Sequence, residues 1–532
     1  SAPAEAGGRA RSIFERARDL RPEDLFVLGK LRRIYEAEGA VNELIATRRR
    51  IAELTPDARS RAEQQFELAK FVLELHREEL ALELLELALE SDPTMLEPLT
   101  VIARFFADRQ EWSELERAYR SMLGRAHRIP KPEVRSEVTW ELCRRLGLLF
   151  RDHLEDPALA LDAFEDAVAE KPNNLQDRYT AADLARQLGR LDRAAFHLQA
   201  AATIDASQAA IFHELFELFQ RLRRPDQAFA AAQVTMFARI AEARERFIFE
   251  EHRPEGVPKF ARGMRSEGWD LLRVHDRDRN LEAVFGAVAP ALISARLGQL
   301  SLEGRLPSLD PAARQDPQKS TISIVRSFTW ASHFLGVDPP AIYLHDDASV
   351  GLASLIAEEP TALAGGRVLR GRTLAQLAFL VGRHLGYHAG CHRILLYYPS
   401  IEELSVCFLA AVKLVIPELP VPAPSRAAVK ELSSQLTARL DDGDRGELKR
   451  AVNAFEAAGR RADIAGWVAA VERCAARAGL LLCGDLEVAS GALQSEPLGL
   501  VGPEEKLADL MAFTVSDEHH ALREEMGVAI QP

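Results

Sequence analysis

The chain has 532 residues, 47% of them hydrophobic and 28% charged, and carries a net charge of −13. That length exceeds what one core serves and predicts two to four domains. The acidic balance excludes nucleic acid as the main partner, because counterion release needs a basic face. Aromatic residues make up only 7% beside abundant Ala, Leu, Arg and Glu, a composition that predicts a mostly helical protein.

The opening "SAPAEAGGRA" reads as a polar leader without the apolar core of a signal peptide. A repeat follows. Prolines close helix-like segments at Pro22, Pro56, Pro93 and Pro172, and both 22 to 56 and 172 to 206 are intervals of 34. Gly39 and Gly189 each stand seventeen residues after the preceding proline, so each unit reads as helix, glycine turn, helix, proline stop. Segments such as "ALALDAFEDAVAEKP" carry apolar residues three or four apart, as in a helix packed on two sides. Over residues 9–250 the pattern resembles the tetratricopeptide repeat, an α-solenoid, with about six units and a break at "GRAHRIPKPEVRS".

The resemblance implies a concave face that takes a protein or peptide partner. Known arrays of this kind clamp a terminal carboxylate from the first helix of a repeat. The corresponding positions here are Val27 and Leu31 in one unit and Asp177 and Ala181 in another. Neither set holds a carboxylate, so these residues are expected to meet a hydrophobic or mixed protein surface.

Residues 251–322 are expected to form a linker with lead-in helices, and 323–530 a C-terminal α+β domain. The proline-rich "EGRLPSLDPAARQDPQKS" reads as loop and "SIVRSFTWASHFLG" as an apolar helix. "PAIYLHD" reads as a strand, and "GLASLIAEEPTALAGGRVL" as a hairpin about Glu359-Pro360. Thr373 is a candidate N-cap for the next helix, whose Leu374, Leu377, Ala378, Val381 and Leu385 form an apolar stripe. The remainder is helical.

Within that helix "LAFLVGRHLGYH" (377–388) resembles the zinc-binding helix of HtpX-like metallopeptidases, the class that includes the CAAX-prenyl proteases. Leu377, Ala378, Phe379, Gly382, Leu385, Gly386 and His388 match the family pattern. The resemblance puts the first zinc histidine on Arg383, the catalytic Glu on His384 and the second zinc histidine on Tyr387. Glu472 falls on the third ligand in "ERCAARAGLLLCGDLEVA", with Ala475 matching and Ala476 in place of an Asp. Arg has no lone pair to give and Tyr ionises near pH 10, so the original site is expected to hold no metal and no cofactor. An Arg383–Glu472 ion pair is the expected filling.

A shifted register offers an alternative. His384 and His388 are one turn apart and could hold a metal with Cys391, His392 or Glu472, although Leu385 then leaves no adjacent base. The expectation is a non-catalytic scaffold with a degenerate peptidase domain, whose hairpin edge could add a peptide strand. The alternative is a metal-dependent hydrolase. No run of about eighteen uncharged apolar residues occurs, so no membrane span is expected. Five cysteines without a CxxC pair fit reduced thiols and a cytoplasmic setting.

Overall fold

A helix pair turns back on itself most tightly when one residue adopts the left-handed conformation, and that device recurs through the first half of the chain. In this computed structural model, which describes residues 2–274, 277–347, 349–459, 461–495 and 499–531, Leu25–Glu38 pairs with Val41–Glu53, and Ala58–Glu74 with Glu78–Ser91. Glu97–Asp108 pairs with Trp112–Ala126, and Pro132–Asp152 with Pro157–Glu170. Leu175–Gln187 is followed by Leu191–Ile204, and Ala210–Arg221 by Pro225–Phe237.

The residues at the six turns are Gly39, His76, Gln110, Glu155, Gly189 and Arg223, all with φ between 52° and 71°. After five of them the next N–H donates to the carbonyl five residues back, as Ala40 does to Tyr35 at 2.9 Å and Arg224 to Phe219 at 2.9 Å. At Glu155 the bond reaches six residues back, from Asp156 to Phe150. The turn-to-turn intervals are 37, 34, 45, 34 and 34 residues (76 − 39, 110 − 76, 155 − 110, 189 − 155, 223 − 189). The long third interval is the break seen in the sequence.

The chain divides into two compact units, residues 1–197 and 198–532. In the first, successive helices pack on their neighbours in chain order, the nearest-neighbour logic of a repeat stack. Ala81, Leu84, Leu85, Ala88 and Leu89 are all buried along one helix, and Ala160, Leu161, Phe164 and Ala167 along another. Gly147 lets two helices cross closely: a Cβ there would lie 2.7 Å from the Phe164 ring. Asp24, Asp57, Asp156 and Asn174 cap helix starts with their side chains.

The boundary differs from the expected 250. Pro225–Phe237 reads as an ordinary repeat helix, yet Asp226 to Thr235 are all buried inside the second unit. Asp226 accepts from Arg523 at 2.8 Å, from the Ile530 N–H at 2.9 Å, and meets His520 Nδ1 at 2.9 Å. Gln233 donates to the Gly484 carbonyl at 2.7 Å.

Residues 251–322 are also more than a linker. Helix Arg279–Leu302 sends Leu281, Val284, Phe285, Val288 and Leu292 into a core shared with Phe408, Phe455 and Trp467. It is long and apolar enough to cross a membrane, and half of its apolar window is buried in the protein. The expectation of no spanning segment therefore meets one candidate helix, which serves here as a core element.

The second unit holds the small sheet. Strand β1 (Ala341–His345) pairs in parallel with β3 (Thr361–Gly365), and β2 (Leu352–Leu355) pairs antiparallel with β3, giving the order β1-β3-β2. The hairpin expected about Glu359-Pro360 is the β2–β3 connection. The protein is mostly α, with helix-pair repeats and this three-stranded sheet, the expected fold class.

A side chain in the left-handed region costs about 1–2 kcal/mol, and glycine avoids that strain. Gln110→Gly is therefore expected to raise stability by about 0.5–1 kcal/mol, whereas mid-helix Thr100→Gly lowers it by about 0.3–0.5 kcal/mol. Urea unfolding of both variants checks the opposite signs.

Candidate functional site

Thr373 begins the histidine helix, Leu374–Gly386, through a capping box: its hydroxyl accepts from the Gln376 N–H and the Gln376 side chain accepts from the Thr373 N–H. This helix lies against Ile464–Cys483 with almost nothing between the backbones. A Cβ on Gly386 would sit 2.6 Å from Ala475 Cα, and one on Gly382 would sit 2.9 Å from the Ala478 carbonyl oxygen. From the other side, a Cβ on Gly479 would sit 2.8 Å from the Phe379 oxygen. The three glycines are required by this approach.

His384 and His388 project elsewhere and are both buried. Their Nε2 atoms are 3.3 Å apart, so one donates and the other accepts. Ser354 Oγ on β2 lies 3.5 Å from His384 Nε2, and the Phe328 ring meets His384 edge-on at 5.5 Å. Burial holds the His384 imidazole well below its ordinary range, with His388 and Arg383 adding to the effect. Burial likewise pushes His388 down to about 4, helped by Arg393. Both rings are neutral at pH 7. His392 is occupied separately: its Nδ1 donates to the Gly386 carbonyl at 3.0 Å. Burial pushes the Cys391 thiol up to about 12, which keeps it protonated.

Glu472 corrects an expectation. Its carboxylate pairs with Lys506 at 2.7 Å, both groups buried, and accepts the N–H groups of Leu500 at 2.8 Å and Val501 at 3.2 Å. A Cβ on Gly499 would collide with that carboxylate, so the loop needs glycine there. The counter-charge is Lys506 in place of the expected Arg383. The Arg383 guanidinium instead lies 5.6 Å from the centre of the Tyr387 ring. Lys506 was missed in the sequence, although a lysine at an inward position of "PEEKLADL" signals a buried carboxylate.

These residues do not fit a zinc ion. Arg383 has no lone pair and Tyr387 only a phenol where the resemblance expects two imidazoles, and Glu472 is engaged by a lysine. In the shifted register His384 and His388 supply two nitrogens, while a catalytic zinc takes three protein ligands. Among the described residues no third His, Cys, Asp or Glu joins them in one cluster.

In the first unit, the four positions expected at a partner surface lie inside it. Val27, Leu31 and Ala181 are buried, and so is Asp177. Asp177 accepts from Trp140 Nε1 at 2.7 Å and from Arg144 Nε at 3.2 Å. They face the neighbouring helix and serve packing, because a first-helix position three or seven residues after the cap turns inward here.

The exposed residues of the first helices are different ones. Arg33, Lys70 and Arg104 each stand six residues before a left-handed turn residue (39 − 33, 76 − 70, 110 − 104) and all three are exposed. Phe26 is 68% exposed with Lys30 Nζ 5.2 Å from its ring centre, and Lys70 Nζ lies 4.9 Å from that of Phe66.

The chain matches no protein-family model, and no curated protein matches it. Solved structures that it resembles include YrrB, described as a tetratricopeptide protein with an unusual peptide-binding site. That match is 20% identical over 30% of this chain and 78% of the other, with a TM-score of 0.22. PilF of Pseudomonas aeruginosa is 20% identical over 46% of this chain and 99% of its own, with a TM-score of 0.21. A thermophilic tetratricopeptide protein of Thermus thermophilus is 21% identical over 36% of this chain and 97% of its own, with a TM-score of 0.17. Scores this low carry no weight, and the repeat reading rests on the six turns.

Two substitutions test the site. Removing one partner of a buried ion pair strands the other, so Glu472→Ala is expected to cost about 3–5 kcal/mol in urea unfolding, with Lys506→Met added to it restoring most of the loss. A cost below about 1 kcal/mol would remove the structural role.

His388 gives a pH signature. Unfolded, it takes up a proton near 6.5; folded, near 4. Its contribution is complete above pH 6.5 and is lost as pH falls from 6.5 toward 4, about 3 kcal/mol in full. His388→Asn is therefore expected to lose less stability than wild type between pH 7 and pH 4.5, followed by thermal unfolding.

Proposed function

We propose that the chain is a non-catalytic interaction scaffold in which the repeat stack of the first unit holds a protein or peptide partner on its concave face. The observation that carries this reading is the recurrent left-handed turn, which sets the first helices in one register. Equivalent positions then line up along the stack and form an extended surface. Arg33, Lys70 and Arg104, with Phe26 and Phe66, make that surface mixed, aromatic and cationic at once.

The second unit acts as a degenerate peptidase-like domain and a second binding surface. Its glycine-lined helix contact supports the resemblance, and the pairing of Glu472 with Lys506 supports the loss of metal chemistry. β2 is an edge strand beside His384, which suits it to take an extended peptide by strand addition. Five free, buried cysteines fit a reducing, cytoplasmic setting.

Cross-linking capture with the full chain tests the reading. A partner held by wild type is expected to be lost in the triple variant Arg33→Glu, Lys70→Glu, Arg104→Glu and kept in His384→Ala, His388→Ala. Peptide hydrolysis by the purified chain that disappears in the double histidine variant would establish the hydrolase instead.

A further inference from the structure

Helix Arg279–Leu302 is apolar nearly all round, a pattern that belongs to a helix buried on every side. One of its faces is nevertheless open. Pro290, Ile293, Leu297 and Ser301, at helical spacing, form one wall of a cleft of about 630 Å³ in the second unit, with Leu306 beside them. This wall runs for about 17 Å at 1.5 Å per residue. Between Pro290 and Ser301 the only charged residue is Arg296, which is directed to Glu403 at 2.9 Å. A helix face that simply met water would carry charges of its own.

The charges in the cleft come from other segments, and two of them are guanidiniums. Arg393 has its Nε buried without a hydrogen-bond partner. Arg439 donates to the Gln435 carbonyl at 2.9 Å. It also lies against Gly298, where a Cβ would come within 3.3 Å of its Nη2. Neither pairs with a carboxylate among the described residues, although acidic residues outnumber basic ones 80 to 67 in this chain. Glu358 lines the cleft as well and is exposed. The volume falls within the range of about 300–1,000 Å³ typical of small-molecule sites, and the lining is an apolar wall opposed by polar and charged groups.

We propose that this cleft binds a small anionic amphiphile, with its acid group between Arg393 and Arg439 and its apolar body along Ile293 and Leu297. An apolar wall alone would take any greasy molecule; two unpaired guanidiniums select for an anion, and the fork geometry of arginine suits a carboxylate or a phosphate monoester. The cleft is not lined by the histidine pair or by the charged positions of the repeat surface, so its anion binding is tested apart from partner capture by the repeats.

Titration calorimetry on the full chain tests it, with dodecanoate, dodecyl phosphate and dodecyltrimethylammonium as probes, each kept below its micelle concentration. At least one of the two anions is expected to bind saturably at one site per chain, the relative affinity showing whether a carboxylate or a phosphate is preferred, and the cation is expected not to bind. Arg393→Gln with Arg439→Gln is expected to weaken the anion by about tenfold or more, the range for a lost charge-assisted contact. Leu297→Glu, checked for folding by circular dichroism, is expected to abolish binding. Equal binding of cation and anion, unchanged affinity in the double arginine variant, or no anion binding up to about 1 mM would overturn the proposal. So would binding of a glutamate-rich amphipathic helical peptide in the absence of any amphiphile binding, which would assign the cleft to a protein partner.

Discussion

The second unit depends on a contact made by backbone rather than side chains. Gly382 and Gly386 meet Ala475, Ala478 and Gly479 so closely that a single methyl group at any of the glycines would collide. Contact at this range multiplies weak dispersion terms along both helices and leaves no room for adjustment. It also decides where everything else on the histidine helix points. At about 100° per residue, His384 lies some 200° around from both Gly382 and Gly386, and His388, just past the helix end, meets it there. His384 is therefore turned away from the helix that carries Glu472, toward Phe328 and Ser354. The same seam that brings the two helices together keeps their ionisable groups apart.

The repeat half was legible where proline and glycine punctuate it: the proline intervals gave its period, and Gly39 and Gly189 marked two of its turns. Four further turns were hidden because His76, Gln110, Glu155 and Arg223 take the left-handed conformation without being glycine. The same backbone bond closes three of those turns, and one reaching a residue further closes that at Glu155, offsetting the strain. Composition therefore understates the regularity of the stack. The strand, the hairpin and the Thr373 cap were legible because each is decided by residues within a few positions of one another.

What was not legible depends on residues far apart in the chain. Nothing about "RPDQAFAAAQVTMF" distinguishes it from any other repeat helix. Its place in the second unit follows from Asp226, whose partner Arg523 lies 297 residues away. Burial alone would raise the Asp226 carboxyl, but the His520 bond and the Arg523 charge hold it well below the usual carboxylate range. His520 is raised in turn by that bond. The partner-surface positions failed for a related reason. Spacing locates a residue on a helix, but which face turns inward depends on the next helix, as Asp177 does on Trp140 and Arg144.

The ionisable groups around the histidine helix form a closed set. A buried carboxylate needs a counter-charge, and Glu472 has Lys506 with two backbone donors. A buried imidazole needs one donor and one acceptor, and the His384–His388 contact meets one of these for each ring. His392 is held by a carbonyl, and Cys391 is protonated by burial. Arg393 and Arg439 in the cleft, and Arg33 in the first unit, are among the charges with no ion pair among the described residues. Many arginines of the chain pair with an acid, as Arg477 does with Asp509 and Arg523 with Asp226, so those that do not are where an outside anion would meet a charge not already taken.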